Sequence, residues 1–63
     1  MDKTMEIILK NIWGKREQLS EALANGAAKD FSEYQKLCGE IRGLSVAEGY
    51  IKDLAKQMEQ SDE

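Results

Sequence analysis

The sequence has no histidine and no proline, a single cysteine, a single tryptophan, and only 6% aromatic residues in 63. Each shortage removes a class of protein. Without histidine, the usual zinc ligand and the side chain that shuttles protons near neutral pH are both gone. With Cys38 alone, no disulfide can form within the chain; lacking a histidine to activate it, Cys38 reads as a small packing residue rather than a nucleophile. No run of about 18 apolar residues exists, so no stretch reads as a transmembrane helix. The segment MDKTMEIILKNIW has an apolar part that is short and interrupted by lysine, unlike a secretory signal. An intracellular, soluble protein with Cys38 reduced is expected. The balance of 9 basic against 12 acidic residues, net −3, argues against a nucleic-acid footprint, which takes a basic face. A chain this short buries little, and the usual remedies are disulfides, a metal, oligomerisation or very good helix packing. The last two are left.

What the sequence does have is helical periodicity. The absence of proline suits long helices. From Lys3 to Ala24, Met5, Leu9, Ile12, Leu19 and Leu23 recur at spacings of three and four, with Arg16 in the one vacant place. Ile8 and Ala22 widen this stripe, while Ile7 and Trp13 lie off it. Asp2 or Thr4 can cap the start, and Glu6 suits the positive end of the helix dipole. Asn25-Gly26 is a helix stop. Asp30-Phe31-Ser32-Glu33 has the form of a capping box. A second helix then runs from Phe31 to Met58, with Tyr34, Leu37, Ile41, Leu44, Glu48, Ile51, Ala55 and Met58 on a seam narrow enough to resemble a coiled coil. Glu48 is the member that does not suit a core: it reaches water from the seam's edge, pairs with a lysine, or sets the register from a buried position. The polar tail 59–63 reads as frayed. The fold class is all-α: a single-domain antiparallel helical hairpin, helix 3–24, turn 25–30, helix 31–58, assembling into a helical bundle.

Glycine is the second feature. Gly39, Gly43 and Gly49 fall inside the second helix, each costing roughly 0.5–1 kcal/mol against alanine. Gly39 and Gly43 share a face, which suggests close approach by a helix or ring, or a break near Gly43–Ser45. A turn centred near residues 27–28 makes facing residues sum to about 55, which brings Ile12 and Trp13 level with Gly43 and Arg42. The second helix, some 40 Å against about 33 Å for the first, then overhangs at its C-terminal end with Leu54, Ala55 and Met58. Tyr50 and Leu54 add a second apolar strip, which one hairpin cannot bury along with the first. The candidate interaction residues are therefore Trp13, Tyr34, Gly39, Gly43, Tyr50, Leu54 and Met58, and the partner is a second copy, another protein, or both.

No catalytic, metal-binding or cofactor-binding set is present in the pattern: no glycine-rich phosphate loop after a strand, no Ser/His/Asp group, no metal-ligand spacing. Glu40, Glu48 and Asp53 with Lys36, Arg42, Lys52 and Lys56 interleaved read as a solvated face. Tyr34, Leu37, Gly39, Ile41, Gly43 and Leu44, followed by Ile51, Asp53 and Leu54, form a pattern that resembles small helical-hairpin accessory proteins of tailed bacteriophages. That resemblance covers under half the chain. It implies a virion-associated or assembly component, placed in the host cytoplasm or the virion, and carries no catalytic residue with it. The alternative is a small module that docks on a host protein and modulates it. A third reading follows from length and hairpin form, which are similar to those of the RNA-binding hairpin dimers that regulate plasmid copy number; their sequence pattern is not matched, and Lys3, Lys10, Lys15 and Arg16 would be the phosphate contacts.

Overall fold

The computed structural model describes residues 2–61. It holds two helices packed along their length, α1 over Lys3–Ala24 and α2 over Phe31–Ser61, with no strand among the described residues. The helix boundaries follow from local chemistry. Asp2 caps α1, its carboxylate accepting the Thr4 backbone N–H at 2.9 Å. At the other end Gly26 takes φ +79°, open to glycine at little cost. That lets the Gly26 and Ala27 N–H groups turn back to the carbonyls of Leu23 (3.1 Å) and Ala22 (2.9 Å), the crossed pair of bonds that closes a helix at a glycine. Asp30 caps α2 by accepting the Glu33 N–H at 2.8 Å, and Glu33 reaches back to accept from the Lys29 N–H at 2.9 Å. This is a capping box displaced by one residue on its return arm.

α2 is one continuous helix through Gly43–Ser45, and it extends beyond the expected end at Met58, so Glu59–Ser61 are helical rather than frayed. The remaining tail residues, 62–63, lie outside the described residues. The seams face each other as the spacing requires. Met5, Leu9, Ile12 and Leu23 on α1 and Leu37, Ile41, Leu44 and Ile51 on α2 are half-buried, and Leu19 and Ala55 are 9% and 5% exposed. No other hydrophobic side chain among the described residues is buried.

Two expectations need correction. The register is not the one a turn centred at 27–28 gives. Arg16 meets Ser45 and Glu48, and Leu19 shares a hollow with Gly43 and Leu44, so α2 is displaced by about seven residues, or two turns. The linker rises past the end of α1 before α2 begins, instead of crossing directly. The overhang therefore sits at the turn, where Phe31 (70% exposed) and Tyr34 project, while Ala55, expected to overhang at the far end, is buried. The glycines do not admit a neighbour within the hairpin either. A Cβ placed on Gly39, Gly43 or Gly49 meets nothing within 4 Å, so the expected packing of Ile12 and Trp13 against them is absent.

Candidate interaction surface

A polar device in the seam comes from its two misfits. Arg16 Nη1 lies 2.6 Å from Glu48 Oε1 and 3.2 Å from Ser45 Oγ, and Lys52 Nζ, one turn further along α2, lies 3.0 Å from Glu48 Oε2. Each seam has a single charged place, of opposite sign, and the hairpin puts the two together. The Arg16 and Glu48 side chains are only 25% and 17% exposed, so the pair is partly shielded from water. Hydrogen bonding from Lys52, helped by the charge of Arg16 and opposed by partial burial, holds the Glu48 carboxyl below its ordinary 4.5.

Either side of the seam the hairpin has a broad face. On the first, Lys15, Leu19, Glu40, Gly43 and Leu44 surround a shallow hollow, and Ala22, Ala27, Glu33, Lys36, Leu37 and Glu40 surround another nearer the turn. Helical steps of four, seven and eleven from Lys15 and Gly43 carry this face on to Asn11, Ile8 and Thr4 on α1 and to Ala47, Tyr50 and Leu54 on α2. Met58 lies at its far end. The second face, on the side of the Arg16–Ser45 bond, holds Trp13 on α1 and Tyr34, Cys38 and Lys52 on α2.

The seven candidate residues thus do not form one site. Gly43, Tyr50, Leu54 and Met58 belong to the first face, Trp13 and Tyr34 to the second. Gly39 lies with Phe31, Tyr34, Gln35, Cys38 and Arg42 around a hollow on the outer side of α2 near the turn. Trp13, Tyr34, Tyr50, Leu54 and Met58 are all exposed within the hairpin. Sequence reasoning passed over Phe31, whose ring stacks on Tyr34 with centroids 6.2 Å apart at the overhanging tip. It also passed over the pairing of Arg16 with Glu48, although their matching exceptional places in the two seams were a usable signal. Beside the stack, the Cys38 thiol raises the Tyr34 hydroxyl above its ordinary pKa of 10.0, chiefly through a hydrogen bond.

What the arrangement offers a partner is apolar area bordered by charge. None of the known protein families, curated proteins or solved structures matches this chain. Among the described residues, no helix is long and apolar enough to cross a membrane.

Proposed function

We propose that this chain is a small non-enzymatic interaction protein that works by helix–helix packing, an assembly or virion-associated component, and that its first partner is a second copy of itself. The observation that carries this reading is the imbalance of burial. Among the described residues, the hairpin buries two hydrophobic side chains, Leu19 and Ala55, and leaves nine large ones exposed. Cys38 is a free thiol, so no covalent tie offsets the backbone entropy of ordering some 60 residues, roughly 1–2 kcal/mol each. Of the two remedies left to a chain of this size, association and very good helix packing, a core of two buried side chains favours association. The phage setting is supported by the resemblance of the Tyr34–Leu54 pattern alone.

A second reading, docking on another protein, is favoured by the Phe31–Tyr34 stack, which presents two aromatic rings at the tip of the hairpin. The two readings are compatible if the tip is left free by self-association. The RNA-binding reading loses one of its contacts, because Arg16 is engaged across the hairpin with Glu48 and Ser45.

Self-association predicts that the thermal midpoint, followed by circular dichroism at 222 nm, rises with protein concentration, because dilution favours the unfolded chain. A midpoint unchanged over a hundredfold range in concentration would remove the second copy from the proposal.

A further inference from the structure

We infer that the second copy, on the reading just given, covers the first broad face, with both turns at the same end of a four-helix bundle. One observation selects that face and orientation, and a second shows that the face is large enough. The first is charge. In a chain with 33% charged residues, the terminal half of this face has none among the described residues. Thr4, Ile8 and Asn11 on α1 and Ala47, Tyr50 and Leu54 on α2 are all uncharged. The turn half carries both signs, with Lys15, Glu33, Lys36 and Glu40 bordering its two hollows. The opposite face has Arg16 and Lys52 drawn to Glu48 along its margin.

A two-fold axis along the length of the rod lays the uncharged half of one copy on that of the other. It sets α1 against the partner's α2 at the same level, so Ile8 faces the partner's Leu54 and Lys15, near the middle of the rod, comes level with the partner's Ala47. Every helix then has antiparallel neighbours, the favourable arrangement of helix dipoles. Turning the second copy end for end would press the uncharged half onto Lys15, Lys36, Glu33 and Glu40, burying charges without partners.

The second observation is area. The hairpin measures 51 × 16 × 12 Å between backbone extremes, so one broad face offers about 800 Å² per copy, the size of a standard stable interface. The terminal half alone falls well short of that, and the bundle therefore engages the full length. Gly43, open to solvent in the single hairpin, lies on this face, where the partner's α1 can approach it closely.

The test uses the full chain with Cys38→Ser and Lys29→Cys, a nitroxide on Cys at position 29, and pulsed electron–electron distance measurement beside sedimentation equilibrium. The expected result is a dimer with label separation below about 30 Å, since neighbouring helices lie 8–10 Å apart. In the same background Leu54→Glu shifts the mass to that of one chain, while Trp13→Glu, on the other broad face, leaves mass and distance unchanged. A dimer with labels near the 51 Å length of the rod would overturn the orientation. A dimer broken by Trp13→Glu and indifferent to Leu54→Glu would overturn the face. Both results would leave self-association standing. A single-chain mass for the parent labelled protein would overturn self-association and the inference with it, leaving another protein as the occupant of the face.

Discussion

Arg16 and Glu48 show how a single pair of residues sets an arrangement that burial alone leaves loose. A seam of similar apolar side chains can slide by a turn with little change in area covered, whereas one cation opposite one anion, both partly shielded, makes one register better than its neighbours. The sign of the Glu48 shift gives a pH prediction. Its folded-state pKa lies below the ordinary 4.5, first through the hydrogen bond from Lys52 and then through the charge of Arg16, so the ionised Glu48 contributes stability that is present above that value and is lost as pH falls through the depressed folded pKa. The thermal midpoint of the parent chain should therefore fall more steeply below pH 4.5 than that of Glu48→Gln, which should already be less stable at pH 7. Parallel pH profiles for the two proteins would show that the Glu48 carboxylate contributes nothing through Lys52 and Arg16. The helical glycines yield a prediction of the opposite sign. Gly39 lies off the proposed interface with open space where a Cβ would go, so Gly39→Ala should stabilise by about 0.5–1 kcal/mol, measured by urea unfolding. Both seam misfits were visible in the sequence. Their partnership was not, because the assumed turn position put Arg16 opposite Gly39 instead of Glu48.

At the scale of elements, the ends of the helices were the most readable part of the molecule. Asp2, Gly26, Asp30 and Glu33 act within three or four residues of themselves, so the sequence contains both halves of each interaction. The path of the linker is different. Residues 25–30 connect the helices whether they cross directly or climb first, and nothing local in Asn25-Gly26-Ala27-Ala28-Lys29-Asp30 selects between these paths. The choice is made by the two seams and by Arg16 with Glu48, at a distance of 32 residues. The end of α2 was misplaced for a related reason. Glu59, Gln60 and Ser61 have neither a stop signal nor an apolar face, and they continue the helix because nothing ends it. Two substitutions measure how much the local signals contribute. Asp30→Ala should cost about 1 kcal/mol through the lost N-cap. Gly26→Ala should cost about 1–2 kcal/mol, because a Cβ is disfavoured at positive φ. Urea unfolding checks both, and a loss under 0.3 kcal/mol in either would show that the packed seam holds the turn without them.

The whole molecule is a rod rather than a globule. Its radius of gyration is 14.9 Å, where a compact chain of this length has about 11 Å. A two-helix rod has one internal contact stripe, and the residues outside it face solvent whatever their hydropathy. The sequence showed more apolar residues than one stripe accommodates, and in the structure Ile8, Tyr50 and Leu54 are left on the outside of the first face as Trp13 is on the second. What the sequence did not reveal was that these candidates divide between two faces, because that division depends on the register of the hairpin. Sedimentation equilibrium over a wide concentration range, at neutral pH and moderate salt, is the most direct test of the claim that the fold is completed by association. The account predicts a species of twice the 7.1 kDa chain mass, dissociating only at high dilution and losing its helical circular dichroism as it does so. A 7.1 kDa species at every concentration, fully helical and unfolding cooperatively, would contradict it.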